Sequence, residues 1–428
     1  MMSVLQNKNF FKLFSGRMAT NAGDSIYYVA AMWLVYELGG SAFYTGLAGF
    51  LTLIPQVLQF LTGPVIDRIS IRKVLTFSQG LQAFMILSIP IAHSLGVLNV
   101  TIVLIVMPVI SLLNQIAYPA TSALIPVILP KEQLTKGNSL MSFAYQGVDM
   151  VFNAVTGLLI TFFGAITLFW TDSVIFFIAA LLYWRMTIGK EATEAKEPAK
   201  EFSLKRETRQ YMKDLKAGFQ LVLGSAIVKL FGENIVANFA LGAMMAILPA
   251  YADFRGGSEV YGALLAAFSA GVLIGSLCAP LFEKIPVGKI TMISFLIGAG
   301  FWISSVFMPI NWISIVLFGI CSIPIGLTNV LFYTILQGCV PRKFLARVFS
   351  VIASISTSAM PLGSLAGGAL GSIFPSSVVF LGAGFSFLFI SLYIAMVPVL
   401  RNLPSVKKAT IEDFKFNQEI LNGETVSS

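Results

Sequence analysis

Gly63-Pro64-Val65-Ile66-Asp67-Arg68 follows the second of twelve long apolar stretches, and Ala279-Pro280-Leu281-Phe282-Glu283-Lys284 follows the eighth. Both read small residue, proline, two apolar residues, acid, base. A second echo lies two loops further on. Pro130-Lys131-Glu132-Gln133-Leu134 followed by Ser139 matches Pro341-Arg342-Lys343-Phe344-Leu345 followed by Ser350. Asn114 and Asn329 also fall at comparable depths in the fourth and tenth stretches. One matched set arises easily by chance; two sets in corresponding loops indicate an internal duplication. Duplicated six-helix units are a recurrent plan of membrane carriers.

Composition fits that plan. Hydrophobic residues make up 57% of the 428 positions and charged residues 11%, against about 25% charged in soluble domains. A spanning helix needs ~20 mostly apolar residues. The expected spans are 13–36, 42–66, 74–94, 99–128, 138–163, 166–188, 222–251, 259–282, 288–308, 310–338, 347–373 and 376–399. The longer ones imply tilt, or bends at residues such as Pro55, Pro108, Pro119, Pro324 and Pro361. The fold class expected is therefore an all-α membrane protein, with twelve transmembrane helices in two pseudo-symmetric six-helix bundles. The divisions are 1–188 for the first bundle, 189–216 for a polar linker with the start of an amphipathic surface helix, 217–400 for the second bundle and 401–428 for a polar, loosely ordered tail. One chain holds both halves, so a monomer suffices.

The net charge of +8 is a topology signal rather than a nucleic-acid footprint. Of the 28 Lys and Arg, all but Arg17, Lys229 and Arg255 lie in the termini, in the even-to-odd loops or at the helix ends beside them. By the positive-inside rule, both termini are expected in the cytoplasm; the location expected is a plasma membrane, that of a bacterium. Phe10 to Phe14 is too short an apolar run for a signal peptide, and Arg17 follows at once. Cys278, Cys321 and Cys339 show no ligand spacing and His93 stands alone, so no metal or cofactor is expected. Clustered ligands for enzyme chemistry are missing too. Gly189-Lys190 and Gly288-Lys289 lack the rest of a nucleotide-binding loop.

Four acids fall inside the expected spans: Asp24, Asp149, Asp172 and Glu233. A charge at a helix centre costs about 2.5–3.5 kcal/mol on insertion scales, so each needs a partner, a wet cavity or a task. Arg17, Asn21, Asp24 and Tyr28 share one helical face; Gln146, Asp149, Asn153 and Thr156 share another. Asp24 and Asp149 come out near the midplane, where desolvation favours the neutral carboxyl form, as proton coupling requires. The competing reading is an acid that only bridges helices. Glu233 is a third candidate for coupling, although Lys229 one turn earlier is placed to neutralise it. Asp172 is expected near the outer surface, wetted and structural or gating. Asn21, Tyr28, Asn114, Gln115, Asn153, Asn234, Asn238 and Asn329 are candidate solute-binding groups, with helix-to-helix bonding equally open. The 36 Phe and 16 Met supply adaptable apolar walls suited to bulky amphipathic solutes. Gly63, Asp67, Arg68, Arg72 and Lys73, with Glu283, Lys284 and Arg347, are expected to form a cytoplasmic gate of ion pairs, or simply to anchor topology.

Gly63-Pro64-Val65-Ile66-Asp67-Arg68-Ile69-Ser70-Ile71-Arg72-Lys73 resembles the signature loop of the major facilitator superfamily, with Ser70 in place of its second Gly. The resemblance covers nearly the whole chain. Asn21-Ala22-Gly23-Asp24, Trp33-Leu34-Val35-Tyr36-Glu37-Leu38 and Gln337-Gly338-Cys339-Val340-Pro341 resemble the macrolide-efflux and enterobactin-exporter branch. That implies the major facilitator fold and proton-driven efflux of drugs or siderophores. The Gly-Pro pair usual in helix five of such exporters appears here as Asn153-Ala154, which leaves a proton-coupled importer open. A lipid scramblase is the alternative from another class.

Overall fold

The computed structural model describes residues 2–57, 70–130, 133–186, 209, 212, 216, 226–340 and 342–414. Among them all regular structure is helical, and no strand occurs. The main helices are α1 (Lys8–Gly39), α2 (Ala42–Val57), α3 (Ile71–Ser94), α4 (Val100–Ile128), α5 (Leu134–Ser142) and α6 (Val148–Trp184). They continue with α7 (Ala226–Arg255), α8 (Ser258–Cys278), α9 (Val287–Phe307), α10 (Asn311–Cys339), α11 (Arg342–Gly371) and α12 (Ser376–Met396). Eight helical segments among the described residues are long and apolar enough to cross a membrane. The linker, its amphipathic helix and the tail beyond residue 414 lie outside the described residues.

Chain contacts divide the molecule into two compact units. One comprises Met1–Thr208 with Gly256–Ala263, the other Arg209–Arg255 with Leu264–Ser428. In the first unit α1 packs along α6, and α3 packs along the same helix. α1 starts earlier than the apolar run suggests because Asn7 caps it, accepting from the backbone N–H groups of Asn9 and Phe10. Asn7 Nδ2 also donates to the Ile128 carbonyl at 3.1 Å, which ties the start of α1 to the end of α4.

Two local features were not visible in the sequence pattern. Phe143–Gly147 forms a π-helical turn between α5 and α6. The expected loop between spans five and six is instead a kink inside α6 at Gly164, whose φ of 75° and ψ of 153° only glycine adopts easily.

In the second unit α7 lies against α11 and α12, and α9 against α10 and α12. Lipid tails give apolar helices little reason to associate, so close packing of small residues must hold such seams. At the α7–α11 seam a Cβ added to Gly367 would stand 2.5 Å from the Ala243 Cα, and one on Gly242 would run into the Met360 carbonyl. The start of the tail corrects the expectation of loose order. Leu403 is 2% exposed and Phe414 fully buried, and the Val287 N–H donates to the Pro404 carbonyl at 3.1 Å. Apolar side chains spaced along a polar segment let it dock.

Candidate functional site

In the first unit the polar face of α1 meets α4 and the π-helical turn. Arg17, Thr20, Asn21 and Ser25 are buried, while Asp24 and Tyr28 are partly exposed. Asn114 Nδ2 donates to Asp24 Oδ1 at 2.8 Å, joining α1 to α4. Ser25 Oγ donates to Asp149 Oδ1 at 2.7 Å, joining α1 to α6. Asn21 Nδ2 donates to the Ala144 carbonyl at 2.5 Å. Ala144 lies in the π-helical turn. The buried Arg17 guanidinium acts electrostatically on both Asp24 and Asp149. The two acids differ in access: Asp149 is exposed and Asp24 only partly so.

Asp172 departs from its expected setting. It is fully buried, and neither carboxylate oxygen has a hydrogen-bond partner among the described residues. A Cβ on Gly23 would stand 2.6 Å from its Oδ1, so the glycine is what admits the carboxyl group against α1. Helix packing by Gly23 and Phe176, rather than distance from the surface, decides its contact with water. A carboxyl group held this way is costly when ionised.

The second unit contains a cavity of about 290 Å³. Its polar lining comes from Glu233, Asn234 and Asn238 on α7, Thr328, Asn329 and Tyr333 on α10, and Ser386 on α12. Phe268, Phe295, Trp302, Phe332 and Phe387 supply the aromatic wall. Trp302 is fixed by its indole N–H, which donates to the Phe380 carbonyl at 3.1 Å, and by the Phe387 ring at 5.2 Å in an edge-to-face arrangement. Asn238 Nδ2 donates to Asn234 Oδ1 at 2.8 Å along one helix face. Among the described residues no ion pair joins Lys229 to Glu233; Lys229 is exposed, and its backbone carbonyl accepts from Tyr393 Oη at 2.8 Å. Spacing of one turn permits that pair but does not aim the lysine inward.

The structure thus brings Asp24 together with Asn114, sets Asn21 and Asp149 on one seam, and gathers Glu233, Asn234, Asn238 and Asn329 around one cavity. Tyr28, Gln115 and Asn153 are partly exposed and join none of these hydrogen bonds. Of the gate residues, Gly63, Asp67 and Arg68 lie outside the described residues. Arg72 donates to the Met186 carbonyl at 3.2 Å, just past the end of α6. Lys73 and Lys284 are exposed, and Glu283 sits 3.7 Å from Lys407 of the tail. Arg347 lies on α11, its side chain outside the description. Sequence reasoning missed Ser25, although the four-residue step from Arg17 and Asn21 leads to it. Trp302 and Phe387 carried no signal beyond apolarity.

The family model described as transmembrane secretion effector matches residues 1–425. Macrolide efflux protein A of Streptococcus pyogenes is 26% identical over 83% of this chain and 87% of its own length. The staphyloferrin A transporter of Staphylococcus aureus is 24% identical over 82% of this chain and 87% of its own. Among solved structures, the nucleoside transporter NupG superposes with a TM-score of 0.69 at 12% identity, covering 90% of this chain and 98% of that one; this likeness speaks to fold alone. The named relatives are carriers rather than enzymes. The chain is a membrane transporter of the major facilitator superfamily and belongs to its transmembrane secretion effector family.

Proposed function

We propose that the chain is a secondary active exporter that moves bulky amphipathic solutes outward in exchange for protons. The observation that carries the reading is the pair of intramembrane acids Asp24 and Asp149, bridged to neighbouring helices by Asn114 and Ser25 and sharing one buried arginine. The neutral donors hold each carboxyl group in either protonation state while the Arg17 charge favours the ionised one, and each acid is proposed to take up and release a proton against that bias. Similarity to macrolide efflux protein A supports the outward direction and the amphipathic cargo. Glu233 and the cavity amides are proposed to contact solute. Arg72, Lys73, Glu283 and Lys284, with Gly63, Asp67, Arg68 and Arg347, are proposed to gate the cytoplasmic mouth. Both termini are placed in the cytoplasm, the two bundles are joined by the segment 189–216, and the unit of function is the monomer.

A proton moving inward gains about 2.3 kcal/mol per 100 mV and about 1.4 kcal/mol per pH unit. The test is accumulation of a fluorescent amphipathic drug in cells expressing the chain, with and without a protonophore. Reduced accumulation that the protonophore abolishes is the expected result; equal accumulation across a broad panel contradicts export. A second reading, carriage of a siderophore, is favoured by similarity to the staphyloferrin A transporter. It predicts secretion or uptake of a labelled iron chelator and no change in drug retention.

A further inference from the structure

The cavity of the second unit has a charge asymmetry that narrows its cargo. Glu233 is the charged residue among the described lining, and no Lys, Arg or His joins it there. Its Oε2 is buried with no hydrogen-bond partner among the described residues, and Lys229 on the same helix points its charge elsewhere, exposed. A lone carboxylate in an apolar surround is stabilised by a cation more than by any neutral group. The same cavity is lined by an aromatic wall in which Trp302, Phe295 and Phe387 pack edge to face, at centroid distances of 4.9 Å for Phe295–Phe387 and 5.2 Å for Trp302–Phe387. The faces of such rings attract organic cations, the indole most strongly. Carboxylate and aromatic wall therefore select the same ligand chemistry, and both disfavour an anion.

We propose that this cavity receives the protonated amine end of an amphipathic solute, with Glu233 as counter-charge and the Trp302–Phe387 wall against its apolar part. The proposal rests on the carrier reading above and assigns Glu233 to cargo rather than to proton coupling. At about 290 Å³ the cavity lies just below the range of drug-sized pockets, roughly 300–1,000 Å³. It accommodates a cationic head group with one ring rather than a whole macrocycle. Asn234, Asn238 and Asn329 add amide dipoles that adjust to different substituents beside the amine.

A matched series tests it: 4-phenylbutylamine, 4-phenylbutanol and 4-phenylbutyrate, binding to the purified full-length chain followed by calorimetry. The amine is expected to bind about tenfold or more tightly than the alcohol, as for a charge-assisted contact, with the carboxylate weakest. Glu233→Gln should bring the amine down to the alcohol's affinity, and Glu233→Asp should keep part of the preference. Thermal unfolding of both variants verifies that they are folded. Equal affinity for the three probes, or a preference for the carboxylate, overturns the proposal, as does an amine preference that survives Glu233→Gln. Binding needs no gradient, so the outcome is separable from export. A chain that pumps neutral drugs yet shows no charge preference loses this proposal alone.

Discussion

Asp24 and Asp149 each accept a hydrogen bond from an uncharged side chain, Asn114 in one case and Ser25 in the other. That chemistry suits groups that exchange protons, because the donor remains satisfied by either protonation state of the acid. Asp24→Asn and Asp149→Asn keep size and hydrogen bonding but remove the exchange. Each is expected to collapse the steady-state solute gradient from roughly a hundredfold towards unity, while downhill exchange of solute persists, as measured by efflux and counterflow in the same vesicles. Asn21 has a structural task, since its amide satisfies the Ala144 carbonyl at 2.5 Å. Asn21→Ala removes that bond, and an unfolding titration should register a loss of about 0.5–1.5 kcal/mol. The sequence stripes marked Asn21, Asp24 and Asp149, but Ser25 could be recognised only once α1 was set against α6. The solitude of Asp172 likewise depends on which neighbours close over it, which residue spacing does not encode.

Helix by helix, hydropathy located the elements well because a bilayer demands long apolar runs. It failed where a run continues through a change of direction. Residues on both sides of Gly164 are apolar, so a tight bend looked like a loop of unspecified shape, and the π-helical turn at Phe143–Gly147 leaves no compositional mark. Gly164→Ala forces a side chain into a glycine-only backbone region and should cost about 1–3 kcal/mol, read as a lowered unfolding midpoint. The α7–α11 seam makes a stronger demand. Gly367→Leu would drive a side chain into Ala243, with an expected cost of about 1–3 kcal/mol or more. Gly300, which has open space where a Cβ would go, is the control: Gly300→Ala should leave the midpoint unchanged or raise it. Equal effects at 367 and 300 would refute close packing as the basis of that seam.

For the whole molecule, the duplicated acid–base loops and the alternation of charge along the chain make the architecture class legible in the sequence. Cargo was not legible, because the walls that would choose it, Trp302 and the phenylalanines around it, are indistinguishable in sequence from lipid-facing residues. The proposed topology has both termini in the cytoplasm, as the charge distribution suggests; single cysteines near residues 3 and 420 should then resist a membrane-impermeant maleimide in intact cells and react after permeabilisation. The central claim, proton-driven outward pumping, is tested most directly in inside-out vesicles with an acidic lumen, by following entry of a fluorescent amphipathic solute that carries no titratable amine. The account predicts accumulation against its gradient that a protonophore abolishes and that the combined Asp24→Asn and Asp149→Asn variant lacks. Accumulation that persists in that variant, or that ignores the proton gradient, would contradict it.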